Sequence, residues 1–142
     1  MRAGFTLLEL VFVLFLTGMG VSLLVPAART WADRFAVVGA REATIGLATT
    51  TRALALASEG AVLVIDESAG SAWTESNGVV GDSTPLASRF GVSVHLLGSR
   101  TRATLRFDAL GIGRVASQSV TFRRNRAMAG VVLSSYGAVS RR

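Results

Sequence analysis

The sequence predicts an α+β fold, in which one long N-terminal helix packs on antiparallel β-sheets. The first half of this helix is predicted to span a membrane: the twenty-one residues from Phe5 to Val25 are mostly apolar, and their only formal charge is Glu9. At about 1.5 Å per residue they reach about 30 Å, the thickness of a bilayer's hydrocarbon core. Beyond about residue 60, apolar residues alternate with polar ones, a period typical of half-buried strands.

The second half of the helix is predicted to be amphipathic and to lie on the domain. Its apolar residues recur at helical spacing, and a helix running to about Ser58 would align them on one face. Gly60 would then end the helix as a C-cap. The residues of the predicted face are Trp31, Phe35, Val38, Leu47 and Leu54.

Two local features interrupt this long helix in the sequence. Pro26 lacks a backbone N–H, which predicts a kink or a locally melted turn at the end of the apolar segment. Arg29 and Asp33 lie four residues apart, and this spacing predicts an ion pair on the polar face.

The remaining chain is predicted to form short antiparallel strands. Gly98 and Ser99 are predicted to form a hairpin turn between strands 92–96 and 102–107, and Arg124-Asn125-Arg126 joins strands 120–123 and 131–134. Residues 67–88 are rich in Gly, Ser, Asp and Thr, and they predict a long loop in which residues 72–74 form a strand. The predicted strands outside this loop are 61–66, 92–96, 102–107, 120–123 and 131–134.

Glu9 stands inside the apolar segment, where an ionisable side chain costs on the order of 3 kcal/mol and usually has a partner and a function. The residues around it, RAGFTLLEL from Arg2 to Leu10, form a distinctive motif. A short basic leader ends in Gly4, Phe5 follows, and Thr-Leu-Leu-Glu opens the hydrophobic helix. This motif resembles the processing signal of the type IV prepilins and pseudopilins.

The resemblance implies a division of the chain into three parts. Residues 1–4 would be a leader peptide, 5–28 a transmembrane and filament-core helix, and 29–142 a pilin-like globular domain in the periplasm or outside the cell. A prepilin peptidase in the inner membrane would cut between Gly4 and Phe5 and methylate the new amine of Phe5. The carboxylate of Glu9 would then meet the amine of a neighbouring pilin subunit during assembly.

Two alternatives stay open for this segment. It could be a secretory signal peptide cleaved near Val25-Pro26-Ala27, although its apolar run exceeds an ordinary h-region and carries an acid. Glu9 could also be a lone acid whose carboxylate snorkels to the membrane interface.

The sequence argues against an enzyme. Cysteine is absent and His95 is the only histidine, so no metal site is expected and His95 is interpreted as structural. Gly111-Ile112-Gly113 lacks the third glycine and the flanking elements of a dinucleotide site, and it is interpreted as a turn. No nucleophile motif is present, and no cofactor is expected.

Charge is distributed unevenly along the chain. Residues 1–88 hold five arginines and eight acids, a net charge of −3, whereas residues 89–142 hold ten arginines and one acid, a net charge of +9. Such asymmetry suggests an acidic partner, and guanidinium groups suit phosphates. DNA is therefore an alternative partner, and its candidate ligands are Arg123, Arg124, Arg126, Arg141 and Arg142. A solvated basic face is the other interpretation.

The layout of helix, short strand, loop and hairpins most resembles the GspH/FimT-type minor pseudopilins. The resemblance implies a minor pilin or pseudopilin subunit, anchored in the inner membrane and assembled into a type II secretion pseudopilus or a type IV pilus. The alternative is a DNA-binding minor pilin that acts in natural transformation. The processing signal is common to secretion pseudopilins and pilus subunits, so the sequence does not choose between these machines.

Overall fold

The computed structural model describes residues 6–113, 117–134 and 139–141. It contains one long helix, one short helix and eight strands, which confirms the predicted α+β class. Two compact units divide the chain, Met1–Ala32 and Asp33–Arg142. The elements in chain order are α1 (Leu7–Ala57), β1 (Gly60–Asp66), β2 (Ser71–Ser76), β3 (Val79–Thr84), α2 (Leu86–Phe90), β4 (Ser93–Leu96), β5 (Arg102–Asp108), β6 (Gln118–Arg124), β7 (Ala127–Leu133) and β8 (Val139–Arg141).

Helix α1 is continuous through Pro26, so the prediction of a melted turn there is wrong. Proline removes only one backbone hydrogen bond of the helix. The bonds of the neighbouring turns remain, and the Thr30 hydroxyl donates a further one to the Pro26 carbonyl oxygen at 3.1 Å.

The buried face of α1 differs from the predicted one. Its residues follow steps of three and four and are mostly small, which lets the strands approach the helix closely. Two of them are threonines whose hydroxyls bond back to the carbonyl oxygens of Ala40 and Leu47, so their burial leaves no polar atom unsatisfied. The buried residues are Val37, Ala40, Thr44, Leu47, Ala48, Thr51 and Ala55.

Three residues of the predicted face are exposed. Trp31 keeps 61% of its surface exposed, Phe35 69% and Val38 38%, so only the later part of the prediction holds. Trp31 and Phe35 precede Val37, the first buried residue of α1. Val38 is one position from the buried row, a rotation of about 100° around the helix.

Asp33–Arg142 contains two four-stranded antiparallel sheets, with strand orders β3-β2-β1-β5 and β4-β6-β7-β8. The inward side chains of both sheets and the buried face of α1 form one hydrophobic core. The predicted hairpin between β4 and β5 is wrong, because these strands belong to different sheets. β4 pairs with β6, and β5 pairs with β1 over seven residues, so the segment around Gly98 connects the two sheets.

The predicted loop at residues 67–88 is largely regular structure. It contains β2, as predicted, and also β3 and α2. Asn77 and Gly78 have φ of 50° and 77°, the left-handed conformations that an Asn-Gly pair adopts in a tight hairpin turn. Gly70 allows α2 to approach, because a Cβ there would lie 2.5 Å from that of Ala87.

The turns at the other predicted positions are formed with small differences. The β6–β7 hairpin turns at Arg124-Asn125-Arg126 as predicted, with Asn125 at φ 52°. At the end of α1 the left-handed residue is Glu59, at φ 62°, and Gly60 is already the first residue of β1.

Candidate functional site

Among residues 6–32 whose side chains the structure describes, nothing buries the apolar half of α1. Leu7 is 82% exposed, Phe15 67% and Leu24 68%, and the other large apolar residues whose side chains are described between them are at least half exposed. The helix is long and apolar enough to cross a membrane, and its most apolar window has a mean hydropathy of 2.3. Exposed apolar surface of this extent marks a segment that lipid or other protein covers.

Glu9 lies in the first turn of this helix and is exposed. Its backbone N–H donates to the hydroxyl of Thr6 at 3.3 Å, so Thr6 caps the helix. Thr6 and Glu9 have the spacing of a capping box, a signal that the sequence analysis missed. The negative charge of Glu9 is also favourable near the helix N-terminus. Gly4 and Phe5, the predicted cleavage site, lie outside the described residues.

The five arginines proposed for DNA do not form one free basic surface. Arg124 is bound within the fold: its Nε lies 3.0 Å from Oδ1 of Asp33, and its Nη1 donates to the carbonyl oxygen of Phe90 at 2.8 Å. The side chain of Asp33 is only 16% exposed, and its second oxygen accepts from the amide of Asn125 at 2.9 Å. Asp33 thus pairs with Arg124 and not, as predicted, with Arg29. We call the contacts of Arg124 and Asn125 with Asp33 and Phe90 the clamp.

The clamp joins three elements of Asp33–Arg142. Arg124 belongs to β6, Asp33 to α1, and Phe90 ends α2. The guanidinium lies over Gly91, where a Cβ would approach Nη1 to 3.1 Å, and the ring of Phe90 lies over Gly39 at a similar distance. Its geometry indicates a structural role for Arg124.

Arg123 and Arg126 flank this clamp and are exposed. The only described contact of the Arg123 guanidinium is a 3.4 Å bond from Nε to the carbonyl oxygen of Asn125. Arg126 forms no ion pair with the residues that the structure describes. These two guanidinium groups are therefore available to an external anion.

Arg141 also has a carboxylate partner within the fold. It lies in β8, and its Nε and Nη2 lie 3.1 and 3.2 Å from the carboxylate of Glu42 on α1. This hydrogen-bonded pair lowers the pKa of Glu42, chiefly through the bond from Arg141, and raises that of Arg141. Val139–Arg141 thus form a strand that the sequence analysis did not predict. Arg142 lies outside the described residues.

The most perturbed carboxyl group is Asp66, which is buried at the end of β1. Bonds from the Ser68 hydroxyl and the Ala69 N–H, and then the guanidinium of Arg102 at 2.7 Å, hold its pKa far below the usual range. Arg102 also lies 5.5 Å from the ring centre of Trp73. All of these partners stabilise the ionised form, so the cluster closes a turn and leaves no proton to exchange near neutral pH.

The remaining candidates for chemistry have structural surroundings. His95 lies on β4 with Nδ1 3.2 Å from Oε1 of Glu67, whose other oxygen accepts the N–H of Leu96. Gly111 lies in a turn as predicted, closed by the side chain of Asp108. Within residues 6–113, 117–134 and 139–141, no group of three His, Asp or Glu residues could hold a metal.

An α+β unit with a long apolar N-terminal helix and two antiparallel sheets is the fold of the pilins, and solved structures match it. Two crystal forms of the type IV minor pilin FimU from Pseudomonas aeruginosa PAO1 superpose on this chain. One has a TM-score of 0.59 at 11% identity and covers 79% of this chain and 92% of FimU. The other has a TM-score of 0.55 at 12% identity and covers 73% and 90%. No protein-family profile and no curated protein matches the sequence.

Proposed function

We propose that this chain is a membrane-anchored structural subunit of a filament, a minor pilin or pseudopilin, and not an enzyme. The observation that carries the proposal is a helix with an exposed apolar first half and an acid in its first turn, joined to a pilin-like unit. Apolar surface on all sides of a helix can be covered by lipid before assembly and by the helices of other subunits afterwards. The partners are then other pilin or pseudopilin subunits.

The proposal includes processing by a prepilin peptidase at the inner membrane, with cleavage between Gly4 and Phe5 and N-methylation of Phe5. Mass spectrometry of the protein recovered from membranes should show the loss of four residues and one added methyl group. A mature N-terminus after Ala27 or Ala28 would instead identify a secretory signal peptide and refute the anchor.

Glu9 has two candidate roles, and two substitutions separate them. In the capping role, Gln serves as well as Glu at the third helical position, whereas Ala does not. In the assembly role, the charge itself must meet a neighbouring subunit's amine. Glu9→Gln keeps the first role and removes the second, and Glu9→Ala removes both.

We expect Glu9→Gln and Glu9→Ala to be inserted and processed normally and to be equally deficient in purified filaments. The measured quantity is the amount of the variant in sheared filaments relative to the amount in membranes. Normal incorporation of Glu9→Gln together with loss of Glu9→Ala would assign Glu9 to helix capping and refute the assembly role.

In this proposal the domain, residues 29–142, lies in the periplasm or outside the cell, and the machine is a type II secretion pseudopilus or a type IV pilus. Both use the same processing and the same helix, so the two are separated by assembly partners. Cross-linking in cells, followed by identification of the captured subunits, distinguishes them.

DNA binding in natural transformation is the second candidate function, and fewer of the five candidate arginines are available for it than the sequence suggested. Arg123 and Arg126 are exposed, whereas Arg124 and Arg141 already have carboxylate partners. Each neutralised phosphate adds about 0.9 to the slope of log affinity against log salt. Contact by Arg123 and Arg126 alone gives a slope of about 2, whereas a slope of 4 to 5 requires phosphate contacts from further arginines.

A further inference from the structure

The β6–β7 turn, which carries exposed arginines, is bonded to a residue that closely follows the apolar segment in sequence. The turn is bonded to Asp33 through Arg124 and Asn125, at 3.0 and 2.9 Å. Asp33 follows Ala28, the last residue of the predicted span, by five residues. Even a fully extended chain of that length reaches only about 18 Å. The turn is therefore tethered within a short distance of the segment's end.

Two other arginines adjoin the residues of the clamp. Arg34 adjoins Asp33, and Arg89 adjoins Phe90, whose carbonyl oxygen accepts from Arg124. Both are exposed. The charge of Asp33 is neutralised by Arg124. We define the basic collar as the exposed residues Arg34, Arg89, Arg123 and Arg126.

Aromatic exposure gives a second, independent observation. Trp31 and Phe35 were predicted to face the domain, but they are 61% and 69% exposed and lie three to seven residues after the span. Tryptophan is enriched at membrane interfaces, where its ring meets both lipid and headgroups. A Trp in this position is typical of a helix that leaves the bilayer at that depth.

We propose that the basic collar binds the phosphates of anionic phospholipid headgroups while the subunit is anchored in the membrane. The inference rests on the proposed function, because it requires the apolar segment to span the bilayer. Anionic headgroups attract basic residues only within about a Debye length, about 8 Å at physiological salt. The tether holds the turn within about 18 Å of the segment's end, so its long arginine side chains approach the headgroups more closely than a basic surface at the far end of the unit would.

The test uses the full-length chain reconstituted into vesicles. The chain contains no cysteine, so one introduced cysteine carries a fluorescent label at a single site. Met128→Cys places the label beside the collar, because Met128 is exposed and pairs with Arg123 across the hairpin. Leu110→Cys places it next to Gly111, which lies against Leu56, about 35 Å along α1 from Asp33. A quencher attached to lipid headgroups reports contact with the membrane.

We expect quenching at position 128 but not at 110 in vesicles with about a third anionic lipid, and release by about 1 M salt, where the Debye length falls to about 3 Å. Each basic residue near an anionic surface favours the bound state about fivefold, so Arg123→Gln with Arg126→Gln should shift the equilibrium about 25-fold. The matched control, Arg100→Gln with Arg106→Gln, removes two exposed charges elsewhere and should leave quenching unchanged.

Equal quenching in neutral vesicles, or equal loss in both double variants, would overturn the inference. Displacement of the 128 label from anionic vesicles by equimolar duplex DNA would overturn it in favour of nucleic acid. Alkaline carbonate extraction separates this test from the proposed function. A chain that stays in the vesicles without charge-dependent quenching refutes the lipid contact alone, and a chain that is extracted refutes the membrane anchor and with it both proposals.

Discussion

Replacing Arg124 should destabilise the globular unit far more than replacing its neighbour Arg123. In Arg124→Ala, Asp33 loses its cation at 3.0 Å and the Phe90 carbonyl loses its donor at 2.8 Å. Hydrogen bonds to charged groups contribute about 1.5 to 3 kcal/mol. Because Arg124 keeps 38% of its side chain exposed, solvent screens part of the pair, and we expect a loss of about 2 kcal/mol in the free energy of unfolding.

The unit Asp33–Arg142 has about 110 residues, and for that size 1 kcal/mol corresponds to about 4 °C in Tm. Arg124→Ala should therefore lower Tm by about 8 °C. Arg123→Ala removes the same charge from an exposed side chain and should change stability by less than about 0.5 kcal/mol. Trp73 is partly buried on β2, and the substitution Trp31→Phe leaves it as the single tryptophan, whose fluorescence reports unfolding.

A double-mutant cycle with Asp33→Ala isolates the ion pair from the other contacts of each residue. We expect a coupling free energy of about 1 kcal/mol or more between Asp33 and Arg124. Equal stability of the Arg124→Ala and Arg123→Ala variants, or a coupling near zero, would refute the clamp and return Arg124 to the free basic surface.

Three further predictions follow from local geometry. Gly70→Ala should destabilise the unit by about 2 to 4 kcal/mol in chemical unfolding, because φ is 57° and the new Cβ would lie 2.5 Å from a side chain of α2. The control Gly78→Ala has φ 77° but no atom within 4 Å of the new Cβ, and it should cost about 1 to 2 kcal/mol. Equal losses in the two variants would contradict the predicted clash at Gly70. The pKa of Asp66 is lower in the folded than in the unfolded state, so its contribution to stability is present above about pH 4 and is lost as pH falls further. In Asp66→Asn, the free energy of unfolding should therefore depend less steeply on pH below about pH 4. The same pH dependence in the variant and the original chain would count against this role of Asp66. Arg141→Gln should lower Tm only slightly, because its pair with Glu42 is exposed and screened by solvent. A loss of Tm as large as that of Arg124→Ala would contradict this and show that β8 depends on the pair.

The local sequence was sufficient for the features that depend on neighbouring residues alone. The apolar run from Phe5 to Val25 predicted the long helix, because its length and composition are themselves the physical requirement of a span. Alternation of apolar and polar residues located β5 and β6, because one face of each strand is buried. The Asn77-Gly78 turn was also readable from the sequence and was missed inside a polar stretch.

Only the tertiary structure decided which elements meet. Gly98 predicted a hairpin between β4 and β5, but β5 pairs along all of β1 and leaves β4 to the other sheet, because the partner of a strand depends on residues far away in the chain. The partner of a charged side chain likewise depends on residues far away in the chain. Arg123 and Arg124 are adjacent and chemically identical, and alternation along β6 turns one to solvent and the other toward Asp33, ninety-one residues earlier, which no local pattern records.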